Sequence, residues 1–88
     1  MSADDAFLAA FDALPVGRFE GVFGGARWVG AKTAFAGGRS FKLLAEEAGG
    51  RSAISANLYR FEDGRALLNP CEMSAEEVRR FVLDLRVA

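Results

Sequence analysis

The chain's one cysteine, Cys71, stands in the run Asn69-Pro70-Cys71-Glu72-Met73, just ahead of a helix start at Ser74. A thiol in that position lies near the positive end of a helix dipole, which lowers its pKa and favours the nucleophilic thiolate. The chemistry this would permit is thiol-dependent reduction at Cys71. The sequence lacks the rest of the machinery: with no histidine and no second cysteine, there is no imidazole base and no resolving thiol for a sulfenic acid or mixed disulfide. These residue types favour an inert, buried thiol beside a proline turn.

Other candidate constellations fail on geometry or context. Glu46 and Glu47 are adjacent carboxylates, but consecutive strand residues point to opposite faces, so the two do not share a substrate. The glycine pairs Gly24-Gly25, Gly37-Gly38 and Gly49-Gly50 lack the Lys-Ser/Thr ending of a phosphate-binding loop and the helix of a dinucleotide fingerprint. One cysteine and no histidine leave no zinc set, so neither a metal nor a cofactor is expected.

A third set of residues points to binding. Arg27, Phe35, Lys42, Leu44, Asn57 and Tyr59 fall on alternate positions of strand-like segments, on the side away from the apolar core. Aromatic, aliphatic, amide and basic groups on one sheet face suit a homodimer interface. They also suit stacking and neutralisation of single-stranded nucleic acid, or capture of a peptide or small anionic ligand.

The elements that position these residues follow from apolar periodicity. Phe7, Leu8, Phe11 and Leu14 recur at helical spacing after Asp4 and Asp5, and Pro15 and Gly17 close that helix. From Arg18 the period becomes two, broken at the three glycine pairs and at Asp63-Gly64, which are hairpin turns. Five strands in an antiparallel meander result, over 18–23, 26–36, 39–48, 51–62 and 65–69. With two-residue turns, Phe23 pairs with Ala26, Gly21 with Trp28, Ala34 with Phe41, Phe41 with Leu58, Leu43 with Ala56 and Ala45 with Ile54. All fall on one face with Phe19, and small residues meet large ones, which makes this the core face. The opposite face carries Val22, Arg27, Val29, Thr33, Phe35, Lys42, Leu44, Ser55, Asn57, Tyr59, Phe61 and Leu68, with Lys42 beside Asn57 and Ser40 beside Tyr59. A last helix starts at Ser74 with Glu77 completing a capping box and Met73 against Val78 as a staple. Val78, Phe81, Val82 and Leu85 form its buried stripe, with Glu76 and Arg80 paired on the solvent side. The expected class is α+β: one domain over residues 1–88, both helices on one face of the sheet.

Composition narrows the classes further. Hydrophobic residues at 51% and charged residues at 26% describe a folded globule rather than a disordered chain. No apolar run is long enough to span a membrane, the acidic N-terminus does not read as a secretory signal, and single-cysteine usage fits a reducing compartment, so the cytoplasm is expected. The net charge of -1 conceals a basic middle: from Arg18 to Arg65 eight basic residues face five acidic ones, between acidic flanks. That excess favours anionic partners locally, whereas the pI of about 5.4 disfavours nucleic acid as the main one.

The segments GRSFKLLAEEAGG, NLY and PCEM resemble those of a small family of bacterial single-domain proteins, a likeness that extends over nearly the whole chain from Leu14. Some members carry the label peptide methionine sulfoxide reductase, which implies a thiol activity that only Cys71 could host. The Gly-Cys-Phe-Trp motif of A-type reductases and the paired Cys-x-x-Cys zinc ligands of many B-type enzymes are not in the sequence, so no catalytic residue carries over. At the level of fold, a meander followed by a helix is similar to the sheet-plus-helix modules of Pur and Whirly single-stranded-DNA-binding proteins.

Overall fold

A computed structural model describes residues 2–88. The chain forms α1 (Asp5–Ala13), β1 (Gly17–Phe23), β2 (Ala26–Phe35), β3 (Ser40–Glu47), β4 (Ala53–Arg60), β5 (Ala66–Pro70), α2 (Ala75–Asp84) and a short β6 (Arg86–Val87). The sheet is antiparallel with strand order β5-β4-β3-β2-β1-β6. Five of its strands are the expected meander. The sixth is two residues that follow α2 and pair with Gly21 and Val22 on the outer edge of β1. Too short to show a period, they are ordered by the edge they cap.

Turn chemistry sets the register. Gly24 and Gly25, with φ of 60° and 78°, supply the two left-handed residues of a tight hairpin, so Phe23 faces Ala26 and Gly21 faces Trp28. The β2–β3 and β3–β4 pairings likewise match the expected partners, including Lys42 with Asn57 and Ser40 with Tyr59. The β4–β5 hairpin departs from expectation. Phe61 N–H donates to the Arg65 carbonyl at 3.0 Å and Gly64 N–H to the Phe61 carbonyl at 3.1 Å, which closes a three-residue loop rather than two. One extra loop residue slips the register by one and turns each β5 side chain over. Leu68, expected on the open face, is therefore buried opposite Leu58, and Leu67 takes its place beside Tyr59.

Both helices lie on the same face of the sheet. Phe7, Phe11 and Leu14 from the first helix and Val78, Phe81 and Val82 from the second share one core with Phe19, Trp28, Leu43, Ala45, Ile54, Ala56, Leu58 and Leu68. Phe23 packs edge-on against both Trp28 and Phe81, which are tilted against each other, with ring centroids 5.0–5.8 Å apart. Ala34, on the same side by parity, lies beyond the helices and is exposed. Asp4 caps α1 by accepting from Phe7 N–H, and Ser74 caps α2 by accepting from Glu77 N–H. The expected Glu76–Arg80 pair does not form; the neighbouring Arg79 instead reaches Asp4 at 2.8 Å and ties the start of α1 to the middle of α2.

Candidate functional site

With the helices on one side, no element among the described residues packs on the other side of the sheet. Its side chains form rows across the strands, set by the register. One row is Leu67, Tyr59, Ser40 and Phe35. The next is Asn69, Asn57, Lys42 and Thr33, followed by Ser55, Leu44, Ala31 and Arg18, and then by Ala53, Glu46, Val29 and Glu20. Phe35 is 50% exposed, Leu44 46% and Tyr59 37%, so the apolar groups stand in solvent without a covering element.

All six predicted binding residues lie on this face, but they are not one cluster. Asn57 and Lys42 are directly paired, Tyr59 and Phe35 sit one row away on either side of Ser40, and Leu44 lies one row in the other direction. Arg27 is near the far end of the sheet, where it shares Glu20 with Arg18, each at 3.3 Å. Both arginines are thereby engaged, although the single carboxylate compensates only one of their two charges. Lys42 and Glu46 have no ion-pair partner among the described residues and flank Leu44 on the central strand. A hollow of about 390 Å³ opens beside Leu44 on the Glu46 side, lined by Arg18, Val29, Gly30, Ala31, Leu44 and Glu46.

Cys71 is half-buried at the margin of the same face. Its backbone N–H donates to the Ser55 carbonyl at 2.9 Å, and Asn57 Nδ2 donates to its Sγ at 3.8 Å. Glu72, with φ of 55°, then turns the chain out of β5 toward the Ser74 cap. The thiol's polar neighbour is thus an amide donor, which can stabilise sulfur charge but cannot take a proton.

Sequence reasoning missed the most unusual polar group. Lys32 is 3% exposed, inside the core. Its Nζ donates to the Phe11 carbonyl at 2.7 Å and the Leu14 carbonyl at 3.0 Å, and lies 4.4 Å from the centre of the Phe11 ring. The last turn of α1 has no basic residue of its own, and β2 supplies one to its carbonyl end. Burial holds the ammonium below the usual lysine range; Asp12 opposes that shift and Arg60 reinforces it. Arg60 Nη2 donates to both Asp12 carboxylate oxygens, at 2.7 and 2.9 Å, fastening the helix end to β4. The signal was present: Lys32 has the parity of Trp28 and Gly30, both core-facing.

On the helix side, a cavity of about 430 Å³ lies between the Phe23, Trp28 and Ile54 side chains and the Glu77 and Arg80 positions of α2. Trp28 Nε1 is already committed to the Phe23 carbonyl at 3.2 Å. Among the described residues, no group of three or more His, Cys, Asp or Glu is gathered as metal ligands, and no helix is long and apolar enough to cross a membrane. Comparison with known proteins gives no matching family, no matching curated protein and no matching solved structure.

Proposed function

We propose that this chain is a non-catalytic self-association module, which docks a second copy of itself through the open face of its sheet. The observation that carries the reading is the open face itself: aromatic and aliphatic side chains stand half-exposed on a sheet whose other face packs against both helices. A sheet with one packed face ordinarily turns polar groups to water, and exposed aromatic and aliphatic groups set among polar ones on its second face are a usual mark of an interface.

Single-stranded nucleic acid is a weaker match. Arg18 and Arg27 are engaged with Glu20, and Glu46 lies on the same face as Lys42, so little uncompensated positive charge remains for phosphates. A thiol reductase at Cys71 would need a proton acceptor and a resolving thiol that its surroundings do not provide. The lone-cysteine usage favours a reducing, cytoplasmic setting.

Sedimentation velocity from about 1 μM to about 1 mM spans the range in which a modest interface dissociates. A concentration-dependent dimer is expected, lost on Tyr59→Glu or Leu44→Glu, with circular dichroism unchanged. A wild-type monomer throughout would refute the reading, and salt-sensitive retention of oligothymidine, weakened by Lys42→Ala or Arg27→Ala, would favour nucleic acid instead.

A further inference from the structure

We propose that the two copies stack sheet on sheet with their central strands antiparallel, around a two-fold axis that lies across the strands over Leu44, so that Lys42 of each copy meets Glu46 of the other. The inference rests on the self-association reading and specifies its geometry.

Two sheets meeting face to face by a two-fold operation need an axis lying in the plane between them. If it runs across the strands, β3 opposes its own copy in reverse and position 42 faces position 46. If it runs along the strands, position 42 faces position 42 and position 46 faces position 46. The first places a cation on an anion twice, and the second places like on like twice. Lys42 and Glu46 have no ion-pair partner among the described residues and are equidistant from Leu44, so the first arrangement satisfies both at once. They cannot pair with each other, because four strand residues span about 13 Å. Sheets packed face to face are rotated by about 30°, which at about 7 Å from the axis displaces facing positions by only about 3–4 Å, within the reach of a lysine side chain.

The row on the axis suits close approach. Ser55 and Ala31 are small neighbours of Leu44, and the hollow beside Leu44 gives the two leucines room to pass side by side. Arg18 lies in the same row and meets its own copy at the edge of the contact, each beside the Glu20 that it shares with Arg27, and each is exposed enough to turn to solvent. Five strands at about 4.8 Å spacing and about eight residues long present roughly 600 Å² per copy. Roughly 1,200 Å² in total sits at the lower end of specific interfaces, which fits a dissociating dimer.

Charge exchange tests the geometry by sedimentation at low salt. Lys42→Glu and Glu46→Lys alone should each raise the dimer dissociation constant at least about tenfold, because each sets like charges together at both symmetric contacts. The double exchange Lys42→Glu/Glu46→Lys should return it to near the wild-type value, and an equimolar mixture of the two single variants should form a heterodimer tighter than either homodimer. Dimers of wild-type strength in both single variants would overturn this geometry while leaving self-association intact. A wild-type monomer would overturn both. Both side chains are exposed and make no ion pair among the described residues, so the variants are expected to fold.

Discussion

Replacing Lys32 with methionine keeps most of the buried volume and removes the ammonium, and so measures what this group contributes. Two hydrogen bonds from a cation to main-chain carbonyls disappear, at 2.7 and 3.0 Å. At about 1.5–3 kcal/mol each, their gross contribution is about 3–6 kcal/mol. Against this, the variant avoids desolvating a charge, which offsets several kcal/mol. The Phe11 carbonyl keeps the Leu14 N–H at 3.1 Å, whereas the Leu14 carbonyl loses its lysine donor. The expected net loss for Lys32→Met is about 1–3 kcal/mol by urea unfolding. Lys32→Ala also removes the buried stem, three methylenes at about 0.8 kcal/mol each plus a cavity, for a total of about 3–5 kcal/mol. For a domain this small, that approaches the whole stability. The pH dependence has a definite sign. Folding lowers the Lys32 pKa below 10.5, so the unfolded chain binds the proton more tightly, and wild-type stability rises relative to Lys32→Met as pH climbs from the folded pKa toward 10.5. Equal or greater stability of Lys32→Met at neutral pH would refute the assignment of Lys32 as the anchor of α1, showing that desolvation outweighs the capping bonds.

Further tests address other parts of the fold. A methyl at Gly30 would lie 2.6 Å from the Leu44 carbonyl oxygen and 2.6 Å from Phe19 Cζ, so Gly30→Ala should cost about 1–3 kcal/mol in urea unfolding. Asp4 is held below its usual carboxylate range, chiefly by the Arg79 hydrogen bond and then by Phe7 N–H. Its contribution is full above pH 3.8 and is lost as pH falls through the folded value, so the acid limb of the stability profile should be shallower in Asp4→Asn. Asp12→Asn removes a partly exposed ion pair with Arg60 and should cost no more than about 1 kcal/mol, with a smaller difference from wild type at high salt.

Most of the fold was legible because local signals agreed. Glycine pairs fixed three hairpins, and the alternation of Phe19, Trp28, Leu43 and Leu58 identified the buried face. The Asp63-Gly64 turn misled because the same dipeptide closes two- or three-residue loops, and choosing the shorter exchanged Leu67 for Leu68. Lys32 was overlooked because lysine is so seldom buried that composition outweighed its parity; its carbonyl partners lie on a helix remote in sequence. The candidate face was legible as a set of residues, whereas the pairing of Arg18 and Arg27 with Glu20, which leaves Lys42 and Glu46 as its unpaired charges, depended on side-chain positions that spacing does not determine.

The most direct measurement is an amide and methyl NMR comparison of the wild-type chain at about 20 μM and about 1 mM, concentrations bracketing a modest dissociation constant. Shifts confined to open-face positions of β2, β3 and β4, centred on Leu44 and including Tyr59 and Phe35, are the predicted result. No concentration-dependent shifts, or shifts centred on α2 and the Trp28 cavity, would contradict a role for the open face in self-association.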